Sequence, residues 1–177
     1  DYDHDGDLDC FILNNSFRSI ESFGNDRNLR NTRSERGGDR LYRNDQGHFH
    51  DVSAEAGIYG SEIGFGLGIT VGDLNNDGWC DIYVSNDFFE KDYLYINQRN
   101  GSFKEVIDNS MGHTSAASMG SDMADINNDG LLDIFTTDML PEDDYRLKTT
   151  TTFENYDVYN AKLKNDFHHQ FTSNCLQ

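Results

Sequence analysis

Basic residues are scarce in this sequence: 14 Lys and Arg stand against 32 Asp and Glu among 177 residues, a formal net charge of −18. Such a charge works against sequence-independent grip on nucleic acid, which relies on cations neutralising phosphates, so a nucleic-acid partner is disfavoured. A phosphate-binding loop around Arg27, Arg30, Arg33 and Arg36 is the one basic feature that stands against this. Long hydrophobic runs are missing too. No apolar stretch approaches the roughly 18 residues that cross a bilayer, so no membrane span is expected. Cysteine is limited to Cys10, Cys80 and Cys175, and an odd number cannot complete a disulfide framework within the chain. Cys80 stands where the other repeats described below carry Leu, and reads as a buried small hydrophobe. Proline occurs once and the hydrophobic share is 36%, low for a soluble domain. The 12% aromatic content nevertheless argues against wholesale disorder, and the length fits one compact domain. The sequence opens on Asp1 with no signal-like apolar segment, so any targeting segment has been removed or lies upstream.

What is present is aspartate in a regular pattern. Asp-x-(Asp/Asn)-x-Asp-Gly-x-x-Asp occurs three times, over 1–9, 73–81 and 125–133, with starts 72 and 52 residues apart. A second pattern repeats out of phase with it. Leu41-Tyr42-Arg43-Asn44 leads to Gly47-His48-Phe49, and Leu94-Tyr95-Ile96-Asn97 leads to Gly101-Ser102-Phe103, an offset of 53. Self-similarity at a fixed period decides a fold; here the unit is about 52 residues, and the first copy carries an insertion of about 20. That insertion, 15–40, is polar, contains Gly37-Gly38 and reads as a surface loop.

Within a unit the apolar runs are short and aromatic or β-branched: Phe65 to Gly72, Ile82-Tyr83-Val84, Tyr93 to Ile96 and Phe103 to Ile107. Four such strands repeated at this length describe a β-propeller blade. The fold class is therefore all-β, a propeller arc of about three four-stranded blades over 1–64, 65–117 and 118–177. Residues 138–170 break the pattern. Asp138 as a cap, Pro141 and the acids after it start a helix. Glu154 to Asn165 forms a second, with Tyr156, Tyr159 and Leu163 on one face. The segment reads as a partly helical excursion between two blades.

The loops carry the chemistry. Calcium takes about 6–8 oxygen ligands at roughly 2.3–2.6 Å, and a short loop surrounds it only by turning sharply. Positions 1, 3, 5 and 9 supply side-chain oxygens and position 7 its carbonyl. The ligand sets are Asp1, Asp3, Asp5, Asp7 and Asp9; Asp73, Asn75, Asp77, Trp79 and Asp81; and Asp125, Asn127, Asp129, Leu131 and Asp133. Gly6, Gly78 and Gly130 stand where positive φ is needed, and the even positions 2 and 8 are free to face the core. An EF-hand is excluded, because position 12 is Ile12, Val84 or Thr136 where that loop wants a bidentate Glu. About three calcium sites are expected, the first, with four ligating carboxylates, being the tightest.

These residues carry a family resemblance. The loops and their strands resemble the FG-GAP/VCBS repeats of integrin-α-type β-propellers, over about 1–14 and 41–137; Phe65-Gly66 fits the repeat's name, whereas Ser118-Met119 stands at the third copy. Leu41-Tyr42-Arg43-Asn44, the run Asp51 to Ile58 and Leu140-Pro141-Glu142-Asp143 are similar to secreted bacterial proteins of the ASPIC/UnbV (cartilage-acidic-protein-like) group. The resemblance implies an extracytoplasmic, calcium-stabilised binding or adhesion propeller without catalytic residues, whose partner is a protein or a carbohydrate. A calcium-dependent polysaccharide lyase with catalytic residues in other blades is the alternative. About three units do not close a ring, so the chain reads as a piece of a longer protein, with open sheet faces.

Other constellations are weaker. His168-His169 point to opposite faces of a strand, which suits a structural or surface role. His48 and His50 share a face but lack a partner at ligand spacing. Gly64-Phe65-Gly66-Leu67-Gly68 lacks both the dinucleotide spacing and a P-loop Lys, leaving close strand packing as its account. The tyrosines, Tyr156 and Tyr159 included, read as core or blade packing rather than a sugar-stacking surface.

Overall fold

The computed structural model describes residues 1–18, 27–150 and 156–177. Three antiparallel sheets stand side by side. The first orders β1 (Cys10–Ile12), β2 (Arg40–Asp45) and β3 (His48–Asp51). The second orders β4 (Gly66–Gly72), β5 (Asp81–Asn86), β6 (Tyr93–Asn97) and β7 (Phe103–Glu105). After one helical turn, α1 (Ile107–Ser110), and the short β8 (Thr114–Ser115), the third sheet begins with β9 (Gly120–Ala124) and β10 (Asp133–Thr137). Two helices follow, α2 (Asp144–Thr150) and α3 (Tyr156–Lys164). Then β11 (Gln170–Phe171) pairs in parallel with β8, and β12 (Cys175–Leu176) joins β10. The all-β, propeller-like arc expected from the repeat is observed.

One cross-strand pair recurs in each sheet: Phe11 opposite Leu41, Tyr83 opposite Leu94, and Phe135 opposite Leu176. All three face the following sheet, and their burial reports whether one is there. Leu41 is 2% exposed, Tyr83 and Leu94 1% and 5%, but Phe135 and Leu176 39% and 59%, with no described sheet beyond them. Two cores result. Leu41, Val52, Ile58, Val84, Tyr93 and Tyr95 fill the space between the first and second sheets. Tyr83, Leu94, Ile107, Met111 and Ile134 fill that between the second and third. The second sheet is therefore buried on both faces, and every residue of β5 is buried.

The Gly-rich run before the second loop does pack closely. A Cβ on Gly68 would lie 2.8 Å from the Gly120 Cα, so glycine lets β4 and β9 of neighbouring sheets approach backbone to backbone. The sequence does not announce α1: the strand after Phe103 ends at Glu105, whose carboxylate accepts the N–H groups of Ile107 (2.8 Å) and Leu94 (3.3 Å).

Both insertions differ from expectation. The first is no free surface loop where it is described. Ser16 donates to the Gly64 carbonyl (2.8 Å), Ser34 to Gly60 (2.7 Å), and Glu62 to Thr32 (3.0 Å), while Arg30, Gly37, Gly38 and Asp39 are buried. Residues 19–26 of that insertion lie outside the described residues. The second insertion leaves from β10 and returns to it through β12, so it lies inside one sheet rather than between two blades. Asp143, not Asp138, caps α2, accepting the Arg146 N–H at 2.9 Å; Asp138 instead accepts Ser115 Oγ and the Ala117 N–H. The start of the second helix at Glu154 also lies outside the described residues. Of its expected face, Tyr159 and Leu163 are half-buried, whereas Tyr156 is 75% exposed. The two insertions meet: Asn28 and Arg30 donate to the Asp166 carbonyl, and Phe167 packs with Ile63 and Leu29.

A side-chain latch recurs in all three sheets, two residues before the Leu of the recurring cross-strand pair. The Asp39 carboxylate accepts the Asn14 N–H (3.1 Å), Asp92 the Asn86 N–H (2.8 Å), and the Asn174 side-chain oxygen the Asp138 N–H (2.8 Å). Asp92 also accepts the Tyr83 and Ser118 hydroxyls. Burial pushes the Asp39 and Asp92 carboxyls up to about 7, against the opposing effect of these N–H donors. The unfolded chain loses those protons near pH 4 while the folded chain keeps them to about 7, so stability falls as pH rises through that window. Asn174 shows that an amide serves in the same place. Asp92→Asn should therefore flatten the pH dependence of urea unfolding between pH 4 and 7 and raise stability at pH 8, whereas Asp92→Ala, leaving buried donors unpaired, should lower it by about 1–3 kcal/mol.

Candidate metal centre

The second and third Asp loops join β4 to β5 and β9 to β10, and the first leads into β1. So β1, β5 and β10 are the equivalent second strands of the repeat, and β2, β6 and β12 the equivalent third strands. The three loops share a backbone. Position 6 takes positive φ at Gly6 (97°), Gly78 (87°) and Gly130 (88°), as the motif predicts, and position 4 does so as well at His4 (61°), Asn76 (55°) and Asn128 (60°). Asn is among the few residues that tolerate this region, so the Asn-Asn-Asp-Gly string already carried the second turn.

The loops are held by their own amides. The position-9 carboxylate accepts the position-2 N–H in each: Tyr2 to Asp9 (2.9 Å), Leu74 to Asp81 (3.0 Å) and Ile126 to Asp133 (2.9 Å). Its other oxygen ties the loop to the third strand, through Asn44 to Asp9 (3.0 Å) and Asn97 to Asp81 (2.8 Å). Position 5 accepts the position-7 N–H at 2.8–2.9 Å, from Asp7 to Asp5, Trp79 to Asp77 and Leu131 to Asp129. Position 3 accepts the position-5 N–H through Asp3 (3.3 Å), Asn75 (3.0 Å) and Asn127 (2.9 Å).

Position 1 separates the loops. Asp73 and Asp125 each accept two amides, those of Asp77 and Gly78 and of Asp129 and Gly130, at 2.7–2.9 Å. In the first loop Asp1, Asp3 and Asp9 instead bring one carboxylate oxygen each within 4.8 Å of one another, the one such convergence of acidic, His or Cys side chains among the described residues. Hard oxygens so gathered fit a calcium-sized cation, and without one they repel. The Asp7 carboxylate turns away to accept the Gln46 N–H at 2.7 Å, leaving its carbonyl as the ligand the motif assigns. In the second loop Arg99 donates twice to Asp77 Oδ2 (3.0 and 2.8 Å), a guanidinium set against one of the expected ligands. Arg99 follows the third-strand motif by two residues, at the place Gln46 takes in the first sheet, and nothing in the loop pattern points to it.

The even positions correct the simple inward-outward rule. Tyr2 is buried and Leu74 half-buried because the next sheet packs over each, but Ile126, with no described sheet beyond it, is 56% exposed. At position 8 Leu8 is 77% exposed and Cys80 is exposed rather than a buried hydrophobe, whereas Leu132 is half-buried beside Gly72 of the second sheet. Among the other candidates, Arg30 pairs with the buried Glu90 and Arg33 donates to the Ile58 carbonyl (2.5 Å), so neither is a free phosphate ligand. His168 packs beside Asp108 (3.1 Å), itself bound to the buried Lys91, and His169 faces the Tyr159 hydroxyl (2.5 Å). His48 and His50 are exposed, with His50 3.5 Å from Asp45.

A model of the FG-GAP-like repeat family matches residues 1–84 and again 73–136, the span of the loops and their strands. The chain belongs to the FG-GAP-like repeat family. It is also similar to integrin alpha-3 from Mus musculus and from Cricetulus griseus, 33% identical over 97 residues in each case. Those alignments take in 48% of this chain and 9% of each integrin, so the chain spans a small part of the relatives it matches. No helix among the described residues is long and apolar enough to cross a membrane.

The geometry separates stapling from ligation. Asp9→Ala unpairs the Tyr2 and Asn44 amides and should destabilise the chain by about 2–4 kcal/mol in urea with excess chelator. Asp3→Ala loses only one long, exposed bond and should cost less than about 1 kcal/mol under the same conditions.

Proposed function

We propose that this chain is a calcium-stabilised FG-GAP-repeat module for extracytoplasmic binding or adhesion, without catalytic chemistry of its own, that engages a protein or a carbohydrate. The blade division over 1–64, 65–117 and 118–177 and the narrower likeness to the ASPIC/UnbV group belong to the same reading. The observation that carries it is the convergence of Asp1, Asp3 and Asp9 in a loop whose backbone recurs in all three sheets. In the first loop Asp1, Asp3, Asp5 and Asp9 with the Asp7 carbonyl would hold the ion. The second set is Asp73, Asn75, Asp77, Asp81 and the Trp79 carbonyl, and the third is Asp125, Asn127, Asp129, Asp133 and the Leu131 carbonyl. The ion would neutralise carboxylates that the fold forces together, so that the loops hold neighbouring sheets in register. The similarity to integrin alpha-3 supports the adhesion role.

An ion held only by the folded state stabilises it by mass action, about 2.7 kcal/mol at a hundredfold excess over its dissociation constant. Calcium added to chelator-treated protein should therefore raise the melting temperature by about 5–10 °C, and magnesium by less, because it demands tighter octahedral geometry. Asp3→Ala should lose most of that rise. A melting curve indifferent to calcium would overturn the reading.

A further inference from the structure

We propose that a cleft between the first and second sheets, on the side of the Asp loops, is a subsite for a neutral oligosaccharide. The cleft has a volume of about 430 Å³, within the range of small-ligand sites. The first loop and sheet supply Tyr2, Asp3, Arg43 and Glu55, and the second supplies Trp79 and the turn from Arg99 to Ser102. Arg43 and Arg99 are each already paired with a carboxylate behind the lining, Asp45 and Asp77, so in a molecule of net charge −18 the cleft offers an anionic sugar no uncompensated cation. That balance favours a ligand that is polar yet uncharged. A sugar hydroxyl both donates and accepts, so it uses guanidinium and carboxylate alike, while the pyranose face covers an aromatic side chain.

The cleft is built before any ligand arrives. Arg43 is held by Asp45 through two bonds (2.9 and 3.0 Å), and Arg99 by Asp77 through two (3.0 and 2.8 Å). Each guanidinium keeps three of its five N–H groups beyond these, already oriented, which lowers the ordering cost of binding. The Trp79 ring is fixed by stacking on His4, with centroids 3.8 Å apart and planes inclined by 13°. Sheet packing does not by itself produce such a lining. The gap between the second and third sheets is walled chiefly by apolar groups such as Leu74, Ile96, Met111 and Leu132.

This inference rests on the reading of the chain as a binding module, but not on its bound cation. Trp79 is the sole tryptophan, so its emission reports the cleft directly. The chain is applied to an array of neutral gluco-, manno-, galacto-, xylo- and fuco-oligosaccharides beside uronate and sulfated ones, and neutral hits are titrated by Trp79 fluorescence and calorimetry, in calcium and in chelator. A neutral hexasaccharide should shift the emission saturably, and Glu55→Gln and Arg99→Gln should each weaken its binding at least tenfold. Glu55 is exposed, so the first of these variants should keep the parent melting curve. Failure of every neutral glycan, binding of charged glycans alone, or unchanged affinity in both variants overturns the proposal. A missing calcium-dependent melting shift with intact sugar binding would count against the cation and leave the cleft standing.

Discussion

A carboxylate that accepts backbone amides inside a nine-residue turn is the interaction on which the rest of this structure depends. The position-9 Asp joins both ends of its loop and fastens the loop to the third strand, through Tyr2 and Asn44 in the first sheet and Leu74 and Asn97 in the second. Because the two left-handed residues fall at the same places in every copy, the second strand leaves each loop on the same heading. Its partner then meets it in the same register, and the Phe11–Leu41, Tyr83–Leu94 and Phe135–Leu176 pairs follow. Sheet stacking is thus a consequence of loop geometry. Concentrating negative charge at that turn is what a bound cation would offset.

A second layer of polar contacts works at the opposite end of the strands. Asp39, Asp92 and Asn174 each take one backbone N–H just past the second strand. In two sheets the acceptor is a buried carboxyl whose proton persists to about pH 7, and in the third it is an amide. The second insertion docks nearby, where Gln170 donates to the Glu90 carbonyl (3.0 Å) and Lys91 bridges Glu105 and Asp108. Buried ion pairs of this kind, the Arg30–Glu90 pair included, add position more than stability.

Much of this was legible in the sequence because it is written in repeats. The Asp motif located the loops and the positive φ at Gly6, Gly78 and Gly130, and its spacing gave the unit and the propeller class. What escaped had no periodic signature. Cys80 replaces Leu in the motif, but its exposure depends on what leans over it, which the motif does not encode. The burial of Arg30 depends on Glu90 and on the Asp166 carbonyl of the second insertion, distant in sequence and without a counterpart in the other copies. The latch was in fact visible, since Asp39 and Asp92 stand two residues before Leu41 and Leu94. It was hidden because a lone Asp before a strand resembles any turn residue. The difference between the first loop and the others lies in which way a position-1 carboxylate turns, which residue type alone does not decide.

On the function proposed above, the first loop's oxygens share one cation. Anomalous diffraction from crystals grown with calcium tests it most directly. A peak is expected about 2.3–2.6 Å from the carboxylate oxygens of Asp1, Asp3 and Asp9. A map without that peak, with the three carboxylates pointing apart, would contradict it.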